Sequence, residues 1–125
     1  MEVANINETK SVITKDTAEI REILAPSNSS LAKQSLAEAK VMPGRSTAEH
    51  YHVKSEEIYY ILQGKGKMTI EDETRDVAKG DGIAICPGQK HRISNTGDNE
   101  LVFLCCCSPA YTHEDAVLTE SKKEG

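Results

Sequence analysis

Short stretches in which apolar and polar residues alternate recur along this chain. In Lys67–Glu71 the apolar residues occupy every second position, and Gly82–Ile85 repeats the pattern after the turn residues Gly80-Asp81. Because successive side chains of a β-strand point to opposite faces, such alternation predicts strands with one buried face. A polar turn is predicted at Asp72-Glu73. Several short strands separated by turn residues are typical of a β-sandwich or barrel.

Apolar stretches give the other predicted strands, at Ser35–Met42, Glu57–Leu62 and in the run that begins at Leu101. The segment Asp16–Leu24 allows two interpretations. Asp16 with an acidic residue three positions later could cap a helix, whereas the apolar residues of the segment also suit an extended strand. The residue pattern alone leaves both open.

Three histidines and one glutamate form the most specific chemical pattern. His50 and His52 are separated by one residue, so both imidazoles would point to the same face of a strand. Glu57 follows after a turn, and His91 comes from another strand after Pro87-Gly88. Three imidazoles and a carboxylate that converge would form a site for a first-row transition metal.

Each of these residues also has a simpler interpretation. A lone histidine such as His91 is ordinarily a surface or core side chain. Glu56 competes with Glu57 as the carboxylate, but it would face the other side of the strand. His113 has no partner at a ligand spacing, so we expect it to lie in solvent.

The histidines and glycines match two motifs of a known family. The first motif comprises Gly44, His50-Tyr51-His52, Glu57 and Gly64, and the second comprises Gly80-Asp81, Cys86-Pro87-Gly88, His91 and Asn95. Together they resemble the cupin superfamily, in particular small single-domain cupins of the cupin 2 type, which are similar to mannose-6-phosphate isomerase. The resemblance covers about residues 35–108. One departure is Cys86, which stands where the family pattern usually has proline.

The resemblance implies an all-β fold, a single cupin-type double-stranded β-helix, or jelly-roll barrel. We expect one domain over residues 1–125, with its core at about 35–108, an N-terminal extension at 1–34 and a polar tail at 116–125. Cupin-like chains usually add a strand before the core, which favours the strand interpretation of Asp16–Leu24. Proteins of this kind commonly pair, so a homodimer is expected.

For the metal site, the resemblance implies that His50, His52, Glu57 and His91 bind one divalent transition ion: Mn, Fe, Ni, Co or Zn. Four protein ligands leave two positions open on a six-coordinate ion. This favours a metal-dependent enzyme that acts on a small oxygenated metabolite, such as a sugar, a keto acid or a hydroxy acid. Isomerase, lyase and dioxygenase chemistry all stay open, and no catalytic residue is identified. The alternative is a non-catalytic protein that binds or senses a small molecule through its metal.

Alternation from Glu57 predicts which side chains face the barrel interior. Tyr59 would point inward and Tyr60 outward. Tyr59 is therefore the candidate substrate-binding residue, although it could equally pack in the core with its hydroxyl bonded locally. The outward apolar side chains, including Tyr60, would form the surface of the expected dimer.

Composition narrows the classes of partner. The formal net charge of −5 over 125 residues, with no basic stripe, argues against nucleic acid. No stretch reaches the roughly 20 apolar residues of a membrane span, and the first residues do not resemble a signal peptide, so a cytoplasmic protein is expected. The consecutive cysteines Cys105–Cys107 read as the end of a buried strand, with a redox or metal-binding role left open. Ser121–Gly125 is expected to fray.

Overall fold

The computed structural model describes residues 1–119. In chain order the strands are β1 (Val12–Ile13), β2 (Glu19–Leu24), β3 (Ser35–Val41), β4 (His50–His52), β5 (Glu56–Gln63), β6 (Lys65–Ile70), β7 (Glu73–Ala78), β8 (Gly82–Ile85), β9 (His91–Asn95), β10 (Leu101–Ser108) and β11 (Ala116–Leu118). Two short 3-10 helices, Ile6–Glu8 and His113–Asp115, complete the described elements.

The strands form two antiparallel sheets. One has the order β1-β2-β3-β10-β5-β8 and the other the order β11-β4-β9-β6-β7. The largest fully buried apolar side chains come from both sheets: Ile61, Ile93, Leu101 and Phe103. The core therefore lies between the two sheets, and the predicted all-β jelly-roll fold is confirmed.

Strand β5 shows the predicted alternation from Glu56 to Leu62. Glu57, Tyr59 and Ile61 are buried, and the side chains between them are exposed. The inner positions of β5 face the other sheet because each second side chain points to the same side. Its inner face therefore brings one carboxylate into the interior, next to the apolar side chains of the same face.

The structure decides the prediction for the N-terminal segment and corrects the one for the turn between β6 and β7. The segment predicted as either helix or strand is strand β2 from Glu19 to Leu24. The predicted polar turn is displaced by one residue: Glu71 and Asp72 form the turn, with Glu71 at φ 53°, and Glu73 begins β7.

The expected polar tail at 116–125 is wrong for its first residues. Ala116–Leu118 forms β11, which pairs with β4 in the register Ala116 with His52 and Leu118 with His50. The physical reason is that the open edge of the histidine strand offers backbone groups that a following segment can pair with. The prediction of a frayed end at Ser121–Gly125 lies outside the described residues.

The turn before β9 positions the last histidine. Gly88 has φ 83°, a left-handed conformation that glycine adopts without a side-chain clash. Its amide donates to the carbonyl of His52 (2.8 Å), and the Gln89 amide donates to the carbonyl of Cys86 (3.1 Å). The turn thus ties the strand of His52 to the start of the strand of His91.

No helix within residues 1–119 is long and apolar enough to cross a membrane.

Candidate metal centre

Three imidazoles meet between the two sheets. His50 and His52 lie on β4, and His91 is the residue opposite His50 on the neighbouring strand β9. One ligand atom from each histidine lies within 4.8 Å of the other two, and all three residues are buried. The ring centres of His50 and His91 are 4.3 Å apart. The predicted alternation of β4 and its pairing with β9 therefore bring three nitrogen donors together.

Two of these rings are oriented by backbone carbonyls. His50 Nδ1 donates to the carbonyl of Ala48 (3.0 Å), and His91 Nδ1 donates to the carbonyl of Gln89 (2.9 Å). Because a carbonyl oxygen only accepts, Nδ1 carries the proton in both rings. The lone pair of Nε2 is then available for a metal, an arrangement common among histidine ligands.

Glu57 approaches the histidines from the opposite sheet. Its Oε1 lies 3.2 Å from His52 Nε2 and 3.7 Å from His91 Nε2. Its other oxygen, Oε2, accepts a hydrogen bond from the thiol of Cys107 at 3.3 Å, and both side chains are buried. Cys107 is opposite Glu57 in the pairing of β10 with β5. The thiol thus fixes one carboxylate oxygen while the other faces the imidazoles.

The surroundings set the protonation of the site. Burial and the neighbouring His50 lower the pKa of His91 to about 4, so this imidazole is neutral at neutral pH. Burial opposes protonation of His52, but its contact with Glu57 outweighs burial and raises the pKa of His52. Burial also opposes ionisation of Glu57, yet His52 and His91 hold the pKa of Glu57 below its usual value. A neutral His91 and an ionised Glu57 are the forms that bind metal ions.

The donor set fits a divalent transition ion. Within residues 1–119, Glu57 Oε1 and His91 Nε2 are buried and have no hydrogen-bond partner. A buried polar atom left without a partner costs about 1–3 kcal/mol, which a bound cation would offset. Two donors on one ion at about 2.1 Å are about 3.0 Å apart when adjacent and about 4.2 Å apart when opposite. The contacts of Glu57 with His52 and His91 fall within that interval.

A cavity of about 50 Å³ adjoins the site and is bordered by His50, His52 and Glu57. The cavity is therefore large enough for several water molecules or for one small molecule. Tyr59 and Phe103 line another part of it, with ring centres 4.6 Å apart. The cavity therefore suits a small molecule with both polar and apolar surface.

Tyr59 lies on the inner face of β5, as predicted. Its ring is buried, and its centre is 6.0 Å from that of His91. Burial and the charge of Glu57 raise the pKa of Tyr59 well above its usual value. The phenol therefore keeps its proton at neutral pH and can donate a hydrogen bond.

A family model described as the cupin domain matches residues 37–107, more than half of the chain. This chain belongs to the cupin family. The match begins within β3 and ends within β10, so it includes all three histidines and Glu57 but excludes the segment before β3.

Individual relatives of this cupin extend the comparison. It is 50% identical over 111 residues to the uncharacterized protein MJ1618 of Methanocaldococcus jannaschii, a match that covers 89% of each chain. It is 38% identical over 68 residues to an oxalate-binding protein of Thermotoga maritima, covering 54% of this chain and 56% of that protein. A Thermotoga maritima crystal structure described as a predicted oxalate decarboxylase superposes with a TM-score of 0.77 at 27% identity, covering 86% of this chain and 99% of the other.

The other residues considered in the sequence of this cupin differ in burial and in distance from the centre. Glu56 and His113 are both exposed, which agrees with the choice of Glu57 and with the expectation for His113. All four cysteines are free; Cys86 is exposed and Cys105 is partly buried. Burial and the Glu57 carboxylate raise the pKa of the Cys107 thiol, so the thiol stays a protonated donor.

Sequence reasoning missed two features of the site. It treated Cys107 as a small apolar residue, whereas the thiol bonds the carboxylate of Glu57. It also considered Asp16 only as a helix cap, whereas the structure brings Asp16 Oδ2 to 3.6 Å from His50 Nε2. The contact between Cys107 and Glu57 could have been predicted, because both residues are at inward positions of strands that can pair. The contact between Asp16 and His50 could not, because it depends on how the turn of Asp16 packs against the barrel, and the neighbouring residues carry no signal of that.

Proposed function

We propose that this protein is a metal-dependent cupin in which His50, His52, Glu57 and His91 hold one divalent transition ion. The ion would be Mn, Fe, Co, Ni or Zn. The substrate would be a small oxygenated molecule such as a sugar, a keto acid or a hydroxy acid. The reaction would be an isomerisation, a lyase step or a dioxygenation.

One observation carries the proposal. Three buried imidazoles have ligand atoms within 4.8 Å of one another, and the unpartnered oxygen of Glu57 approaches two of them. An apolar interior does not otherwise accommodate unpartnered acceptors. When bound, the ion would supply Lewis acidity, or redox chemistry if it is iron or manganese.

The chain itself would position and enclose the substrate. Tyr59 can donate a hydrogen bond to a substrate oxygen, because its phenol remains protonated. Phe103 and the small side chains Ala37 and Ala39 form an apolar side of the cavity that limits water and substrate size. A molecule with few heavy atoms and closely spaced oxygens fits these dimensions best.

The alternative is a metal-anchored binding or sensor protein without turnover. One similarity supports this alternative: a Thermotoga maritima relative is named as an oxalate-binding protein. A single fold hosts many activities, so this similarity directs the choice of ligands rather than the choice between binding and catalysis. Small dicarboxylates belong in the first panel of compounds with sugars, keto acids and hydroxy acids.

Elemental analysis of the purified protein tests the metal centre. We expect about one transition ion per chain, and less than a tenth of that in the His52→Ala/His91→Ala double variant, because water cannot replace two buried imidazoles without a large loss of affinity. His113→Ala is the matched control, since this histidine is exposed. Full metal content in the double variant would refute the assignment.

Substitution of the inner tyrosine separates enzyme from binding protein. If the Tyr59 hydroxyl orients substrate or transfers a proton, Tyr59→Phe should reduce turnover about 10²-fold with metal content unchanged. If the protein only binds, the loss should be about 0.5–1.5 kcal/mol in ligand affinity. Tyr60→Phe, on the exposed face of the same strand, is the control. Equal behaviour of both variants would remove Tyr59 from the site.

A homodimer in a reducing, cytoplasmic compartment is the remaining part of the proposal. Ile58, Tyr60 and Leu62 leave an apolar stripe exposed on the outer face of β5, which a second copy would cover. Light scattering should give about twice the chain mass of 13.7 kDa. A mass near 13.7 kDa at all concentrations would contradict the dimer.

A further inference from the structure

A second carboxylate lies at the metal centre, outside the part of the chain that the family model matches. Asp16 lies in the turn between β1 and β2, lines the cavity, and places Oδ2 at 3.6 Å from His50 Nε2. Its side chain is 14% exposed. Its other oxygen, Oδ1, accepts a hydrogen bond from the hydroxyl of Thr14.

Backbone and side-chain contacts fix this turn against the barrel. The amide of Ala48 donates to the carbonyl of Asp16 (2.8 Å), next to the strand that bears His50. The ammonium of Lys15 donates to the carbonyls of His113 (3.0 Å) and Ala116 (2.8 Å). The ammonium of Lys15 is thus directed to the segment 113–116, while the carboxylate of Asp16 points to the imidazole of His50.

Asp16 and Glu57 are held in the same way. In each, one oxygen accepts from a neighbouring side chain, Thr14 for Asp16 and Cys107 for Glu57. The other oxygen lies 3.2–3.7 Å from an imidazole Nε2. Asp16 Oδ2 has one such separation, to His50, and Glu57 Oε1 has two, to His52 and His91. All three lie between the roughly 3.0 Å of adjacent donors and the roughly 4.2 Å of opposite donors on one ion.

We propose that Asp16 is a fifth protein ligand, which binds the ion through Oδ2. This assignment rests on the proposed metal centre and deepens it. Three imidazoles and two carboxylates balance the charge of a divalent ion, and the second carboxylate favours an ion that accepts oxygen donors, such as Mn²⁺ or Fe²⁺. A six-coordinate ion would then keep one open position instead of two, so a substrate would bind it through a single oxygen.

The test uses the full chain stripped of metal with a chelator and titrated with Mn²⁺. Calorimetry gives the affinity, and water-proton relaxation gives the number of exchangeable waters on the bound ion. We expect one such water in the wild type and two in Asp16→Asn, with an affinity at least about tenfold weaker in the variant. Thr14→Val should weaken binding by less, because it removes only the anchor of Oδ1. Asp72→Asn, in an exposed turn, should match the wild type.

The outcomes separate the two levels of the proposal. A wild type that binds no Mn²⁺ in this titration, and none of the other four candidate ions when titrated with each in the same way, overturns the proposed metal centre and this assignment with it. A wild type that binds Mn²⁺ with two exchangeable waters, or an Asp16→Asn variant whose affinity and water number equal those of the wild type, overturns the role of Asp16 alone. The wild-type water number decides the matter even if the variant folds poorly.

Discussion

The two faces of strand β5 have nearly the same composition and opposite surroundings. The inner face carries Glu57, Tyr59 and Ile61, and the outer face carries Glu56, Tyr60 and Leu62. Each buried residue therefore has an exposed neighbour of the same or nearly the same type one position away. The difference shows that side-chain direction, and not residue type, separates a buried carboxylate at the candidate metal centre from a solvated one.

The largest expected difference concerns stability. Ile61 is fully buried in the core, whereas Leu62 is 37% exposed. Ile61→Ala should lower the free energy of unfolding by about 2–5 kcal/mol, because it removes buried methylene groups and leaves a cavity. Leu62→Ala should change it by about 0.5 kcal/mol. Urea denaturation measures both, and an equal loss in the two variants would mean that the outer face is also buried, as in a dimer.

The next difference concerns metal affinity. Glu57→Gln keeps the shape of the side chain but removes its negative charge, so we expect affinity for a divalent ion to fall more than about 100-fold. Glu56→Gln should leave affinity unchanged, because that carboxylate is exposed. Competition with a chromogenic chelator gives both dissociation constants. Comparable affinities in the two variants would exclude Glu57 as a ligand.

The smallest expected difference is again in metal affinity, and it compares two residues of the adjacent strand β10, Cys107 and Cys106. Cys107→Ala removes the thiol that bonds Glu57 Oε2, and metal affinity should fall about tenfold, the lower end of the range for partners of a ligand. Cys107→Ser keeps a donor and should recover part of the loss. Cys106→Ala, whose side chain points to the other face, should have no effect on affinity. The same chelator competition checks this order, and an unaffected Cys107→Ala variant would contradict it.

Features that depend on neighbouring residues in the chain were predicted correctly from the sequence. Alternation in β5 depends on neighbouring residues only, so it correctly predicted the buried positions of Glu57 and Tyr59. The motif intervals predicted the jelly-roll fold and the meeting of the histidines, through resemblance to other cupins. Which histidine pairs with which across strands could not be read from periodicity alone.

The missed elements depend on pairing with another segment, which is adjacent in the chain for β7 and distant for β11 and for the turn of Asp16. Strand β7 buries only Val77, so it has no apolar face, and its strand form follows from pairing with β6. Strand β11 forms because β4 offers an open edge, and Asp16 reaches the centre because its turn bonds to Ala48. In each case the deciding interaction is a backbone contact between segments whose register the residue pattern does not encode.

The carbonyls that orient His50 and His91 belong to residues two positions earlier in the chain. The orientation of each imidazole ring is therefore fixed by a hydrogen bond within three consecutive residues, independently of any ion. Little reorganisation of the protein should accompany metal binding. The metal-free protein should therefore already be folded, and it should bind the ion without a slow conformational phase. In this respect the centre would differ from small zinc domains, whose chains fold only when the ion binds.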